Sequence, residues 1–313
     1  MLKLIDYLKS NCSKINFEDQ IYLNKFENLF KSISNNDSVY LYHPSCKNTK
    51  KDILSIFEII KNKNKKCLLL MTNGDVDIPC IKEYWFDRDN IPYSDLLQTD
   101  IEKNPLEFFL EMDLLNYIPK NCLIYCNSVI KKHKNLNMIP LGRDFKGKHV
   151  AKNFVVYENK KYLCYYNCSL PPKSIHWYGR IREYIYNNVK NKNYIICENM
   201  CLNSERNINE LQFKKYYNNI VSSKFMLCPR GCALDTYRMW DCLYLGCIPV
   251  VVKYEGYVDY NDLPILFIDR WEDYLNLTEE YLESKWKEMV EKNYNYDKLH
   301  FSWWQNKIIN ECI

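Results

Sequence analysis

The chain has 313 residues, 47% of them hydrophobic, enough for one large domain or two ordinary ones with a real core. A net charge of +4, spread along the chain, leaves no footprint for nucleic acid, and no low-complexity tail points to disorder. The fifteen cysteines are an odd number without a CxxC or histidines at zinc-finger spacing, so free buried thiols in a reducing, cytoplasmic compartment are expected.

The opening MLKLIDYLKSNC breaks its apolar residues with charges, unlike a signal peptide or membrane span. Residues 2–8 and 20–33 pattern as amphipathic helices, the second with Leu23, Phe26, Leu29 and Phe30 on one stripe. A strand is predicted at 39–42, a helix at 53–60, and an all-apolar strand of parallel-sheet character at 67–71. A helix over 104–117, a strand at 123–126, a helix at 129–134 and a strand at 138–141 follow. This βαβ alternation describes a parallel sheet covered by helices.

The charged, poorly periodic stretch 147–161 reads as a junction, and a second series follows it. It comprises a strand at 162–166, a helix at 175–189, a strand at 194–197, a helix at 210–220, and strands at 224–228, 248–252 and 265–268. Closing helices are predicted at 279–292 and 297–309, the last packing through Trp303 and Trp304 across the domains. The expected organisation is one domain over 1–155, a second over 156–295, and a returning helix over 296–313. Each domain is a Rossmann-like α/β unit, the two facing a central cleft.

The most informative stretch is Ser222 to Val252, SSKFMLCPRGCALDTYRMWDCLYLGCIPVVV. It parses as strand, loop, helix and strand. Pro229 ends the first strand, Gly231 frees the loop, Asp235 and Thr236 suit a helix start, and Gly246 stops the helix. At 100° per residue, Leu234, Arg238, Asp241 and Leu245 share one face, and Met239, Trp240 and Leu243 form the core face. A helix N-terminus beside Arg230 and Arg238 suits a diphosphate, and Asp241 could accept ribose hydroxyls. An i,i+3 surface salt bridge explains the Arg238–Asp241 spacing equally well.

These residues carry a resemblance. Lys224, Phe225, Pro229, Arg230, Gly231, Asp235, Arg238, Asp241, Gly246, Ile248, Pro249 and Val250 are similar to the nucleotide-sugar-binding segment of exostosin-like (family 47) glycosyltransferases. Asp241 stands where that family commonly has Glu, and Cys232 to Leu234 replace a glycine-richer turn. The resemblance implies a GT-B fold and transfer of a sugar from a nucleoside diphosphate, UDP above all, to a glycan hydroxyl with inversion. It makes 1–155 the acceptor-side domain and 156–295 the nucleotide-sugar-binding domain, and places Arg230, Gly231, Asp235, Thr236 and Arg238 at the diphosphate and Asp241 near the ribose. Cellular exostosins usually carry a membrane anchor, for which this chain shows no pattern.

Elsewhere, Arg180 and Arg182 could also reach the diphosphate; residues two apart face away from each other, and Arg180 is preferred. Inverting transfer needs a general base. His43, Asp75 and Asp144 each follow a predicted strand and are the candidates, although turn-forming roles suit His43 and Asp75 too. Asp75-Val76-Asp77 would hold a divalent cation, Mn or Mg, if the reaction used one; none is expected to be required. A non-catalytic nucleotide-sugar or glycan binder on the same scaffold is the alternative. A methyltransferase-like enzyme is disfavoured because no glycine-rich loop follows Tyr42.

Overall fold

A computed structural model of the chain describes residues 1–9, 19–33, 38–42, 49–71, 114–127, 129, 132–143, 159–168, 177–199, 210–231 and 234–312. The first sheet has four parallel strands in simple sequential order: β2 (Val39–Tyr42), β3 (Cys67–Met71), β4 (Cys122–Cys126) and β5 (Leu136–Met138). Its β3 is Cys-Leu-Leu-Leu-Met and buried at every position, as a strand covered on both faces must be. Helices α2 (Leu23–Ile33) and α3 (Thr49–Lys61) belong to this half; Phe26, Leu29 and Phe30 form the buried stripe of α2.

Four predicted elements are corrected. Leu2–Lys3 is a short strand, β1, before helix α1 (Leu4–Lys9), because it pairs with β11 (Asn293–Tyr294). Residues 20–22 stay extended rather than helical, since Gln20 bridges His300 and Tyr22 bridges Gly142. No helix occupies the described part of 129–134. There His133 bridges Leu136, while Asn135 turns its amide onto the Pro119 and Lys120 carbonyls, which fixes a tight turn instead. The strand expected at 138–141 lies at Leu136–Met138, and Pro140 follows it.

The second sheet is built from β6 (Tyr162–Cys168), β7 (Ile195–Asn199), β8 (Ser223–Leu227), β9 (Ile248–Val252) and β10 (Leu266–Ile268). All pairings are parallel, in the order β10-β9-β8-β6-β7. The chain winds outward in both directions from β6 and β8, so the winding reverses between them. In open α/β sheets, ligands bind beyond the carboxyl ends of the strands at such a reversal. Helices α4 (Trp177–Val189), α5 (Glu210–Ser222), α6 (Tyr237–Tyr244), α7 (Asp273–Asn276) and α8 (Glu279–Glu291) accompany this sheet.

The two ends of the chain cross over. Tyr7 stacks on Tyr296 at 3.8 Å between ring centroids. The final helix, α9 (Phe301–Cys312), returns to the first half, with Phe301 against Phe26 and Glu311 accepting from the Tyr125 hydroxyl at 2.5 Å. Trp304 is buried edge-on to Tyr260 and donates to the Lys298 carbonyl. Among the described residues, no helix is long and apolar enough to cross a membrane.

Candidate active site

The loop after β8 and the start of α6 lie at the reversal point. Phe225, Met226 and Leu227 are fully buried, which anchors the loop that Pro229 begins. Thr236 caps α6 by accepting from the Met239 backbone N–H at 3.2 Å. At its other end, the Leu245 N–H reaches the Asp241 and Cys242 carbonyls, and Gly246 turns the chain with φ of 66°. The helix is thus held at both ends.

Two arginines shape the loop. Arg182, buried on α4, donates through Nε to the Arg230 carbonyl at 3.0 Å. A Cβ on Gly231 would stand 2.8 Å from Nη2 of Arg182, so the glycine lets the guanidinium lie against the loop. The Arg230 guanidinium sits over the Tyr254 ring, 5.8 Å from its centroid. Arg182 thus lies against the loop, while Arg180 is on α4 with its side chain outside the described residues.

Arg238 differs from its neighbours. It is half-buried on α6, close to Cys168 at the carboxyl end of β6 and to Tyr216, Cys228 and Tyr166. Burial works against its charge, but those thiol and phenol groups hold its pKa above the ordinary arginine value. Among the described residues it has neither a carboxylate partner nor a hydrogen bond. A cation in that position is set to receive an anion.

Asp235, expected at the diphosphate, and Asp241, expected near the ribose, are both buried, 1% and 4% exposed. Asp235 Oδ2 accepts from the Leu141 N–H at 2.8 Å, from Trp240 Nε1 at 2.8 Å and from the Tyr260 hydroxyl at 3.3 Å. Asp241 Oδ1 pairs with Arg143 Nε at 2.8 Å, and its Oδ2 accepts from the Tyr216 hydroxyl at 3.1 Å. The i,i+3 pairing of Asp241 with Arg238 is not formed; the carboxylate points instead to a residue 98 positions earlier. The shared helical face is real, but its Asp241 end is covered by the other half of the molecule. Thr236 likewise spends its side chain on the cap.

Arg143 is the residue that the sequence reading missed. Burial disfavours its charge, yet Asp241 and the phenols of Tyr217 and Tyr22 hold its pKa above the ordinary value. A signal was available: arginines supply only eight of the 43 cationic side chains, so each stands where lysine was the compositional default. Planar, forked donors are what lysine cannot replace. The base candidates His43, Asp75 and Asp144, and Asp77 with them, lie outside the described residues. Among the described residues, no group of three or more His, Cys, Asp or Glu is placed to hold a metal ion.

Compared with known families, residues 155–274 match the Exostosin GT47 domain. The match spans β6 to α7 and includes Arg182, Arg230, Asp235, Arg238 and Asp241, while Arg143 lies before it. No curated protein matches the chain.

Proposed function

We propose, from the premise that residues 155–274 are an Exostosin GT47 glycosyltransferase domain within a GT-B architecture of two parallel sheets, that the chain transfers a sugar from UDP to a glycan hydroxyl with inversion. The observation that carries this is Arg238, half-buried at the reversal of the sheet with no carboxylate or hydrogen-bond partner among the described residues, on the helix that follows the loop of Arg230 against which Arg182 packs. Such a site suits a diphosphate.

In the reaction, the acceptor hydroxyl forms a bond to the anomeric carbon while the bond from that carbon to the diphosphate breaks. The electron pair leaves on the diphosphate, where Arg238 and Arg230 meet the new charge. The hydroxyl proton passes to a base, for which His43, Asp75 and Asp144 are the candidates. With arginines meeting the leaving charge, the step is expected to run without a divalent cation.

The test is a panel of nucleotide sugars with released nucleoside diphosphate as the readout, with and without chelator. Turnover with a UDP-sugar that survives chelation is expected. The Arg238→Ala variant should weaken UDP binding by about ten- to a hundredfold, the loss of one or two charge-assisted contacts. Unchanged UDP affinity in the folded variant would remove the diphosphate assignment. Tight binding with no turnover would favour the non-catalytic binder.

A further inference from the structure

Arg143 projects from the segment after β5 into a recess built by the other half of the molecule. Its guanidinium lies between the rings of Tyr217 and Tyr244, at 5.7 Å and 5.3 Å from their centroids. Its Nε donates to Asp241 Oδ1 at 2.8 Å, and its Nη1 donates to Gln20 Oε1 at 3.0 Å. The side chains of the ion pair are 3% and 6% exposed. Around it, backbone groups of the first half are taken up by side chains of the second. The Leu141 N–H is bound by Asp235, and the Ile21 N–H by the Tyr244 hydroxyl at 2.9 Å, which itself donates to the Leu299 carbonyl at 2.5 Å. The Arg143 N–H closes the ring onto the Ile21 carbonyl at 2.9 Å.

The contacts named from the second half come from α5, from α6 and its N-terminal flank, and from the turn before α9. Helix α6 is also the element that carries Arg238. One eight-residue helix therefore faces the proposed diphosphate with one residue and grips the first half with another, one turn on. A buried, fully desolvated ion pair contributes little net stability compared with apolar residues of the same size, but it fixes geometry through its directional bonds.

We propose that Arg143 and Asp241 are positioning residues, a latch that fixes the acceptor-side half in register on the donor loop, and that they act on sugar transfer rather than on nucleotide binding. This rests on the transferase reading only for its effect on turnover. The latch itself stands on the geometry of the interface, and its test can be read without any activity.

The experiment compares the parent with Asp241→Asn and with the double variant Arg143→Met/Asp241→Leu. The double variant replaces the pair with apolar side chains and guards against failure of the single variant to fold, since such replacements are tolerated where lone buried charges are not. Three quantities are measured: amide exchange at Ile21, Leu141 and residue 143, UDP affinity by calorimetry, and kcat with donor KM. Exchange at those three amides should accelerate at least tenfold in whichever variants fold, with UDP affinity within about twofold of the parent. On an active parent, kcat should fall at least tenfold with donor KM little changed. Tenfold weaker UDP binding with unchanged amide exchange would overturn the latch and make Asp241 a nucleotide ligand. Parental exchange, or parental kcat, in the double variant would also overturn it. A parent that binds no nucleoside diphosphate would sink the transferase reading, while the exchange data would still decide the latch.

Discussion

Asp235 meets three donors with one oxygen, while its other oxygen, Oδ1, is buried without a partner. Burial pushes this carboxyl up from an ordinary 3.8 to about 7, against the opposing pull of the Trp240, Leu141 and Tyr260 hydrogen bonds. A proton on Oδ1 would break none of those bonds. Because the folded state holds the proton more tightly than the unfolded chain, the sign is the reverse of the usual carboxylate. Asp235's contribution is fully present below the ordinary value and is lost as pH rises toward 7, at a limiting slope of about 1.4 kcal/mol per pH unit. Replacing it with Asn keeps an acceptor and removes the titration. Thermal melts of Asp235→Asn against the parent should therefore shift in the variant's favour from pH 5 to pH 7.5. A difference that stays flat across that range would show that the buried carboxyl does not titrate there.

At the scale of elements, the turn that follows β5 is packed directly against the extended segment 20–22. Gly142 has φ of 76°, and a Cβ there would lie 2.3 Å from the Ile21 carbonyl oxygen. Both the left-handed backbone and the close approach require glycine, and the Cβ would strike backbone rather than a movable side chain. Gly142→Ala should cost roughly 2–4 kcal/mol, from backbone strain and overlap together. Chemical denaturation would measure this, and a cost within about 0.5 kcal/mol, typical of an ordinary surface site, would contradict the packing. Strand β3 and the strands of the second sheet were readable because buried strands are short apolar runs, as in Cys67–Met71 and Ile248–Val252. Helix α6 was readable from its Thr236 cap and from Gly246 beyond its end. The helix expected over 129–134 failed because side-chain bonds from Asn135 to a distant loop outweighed local propensity, a tertiary effect that no window on the sequence contains.

Over the whole molecule, the nine cysteines among the described residues are free, and eight of them are buried. Burial pushes the thiols of Cys67, Cys122, Cys164, Cys197, Cys228 and Cys242 up, to about 12 at Cys122, so these are poor nucleophiles and serve as small apolar side chains. Melting with and without excess dithiothreitol should give the same temperature; loss of a stabilising disulfide would show as a fall of roughly 5 °C or more. The sequence by itself determined the α/β class, the cap and stop of α6, and the Arg230–Arg238 segment, because each is written in residues within a few turns of one another. It also placed Asp241 one turn on from Arg238 along α6. What covers Asp241 was decided only by tertiary structure: Arg143 reaches Asp241 across 98 positions, through a turn that only Gly142 can make. Helical periodicity tells which side chains point the same way, but not whether water, ligand or another part of the chain waits there.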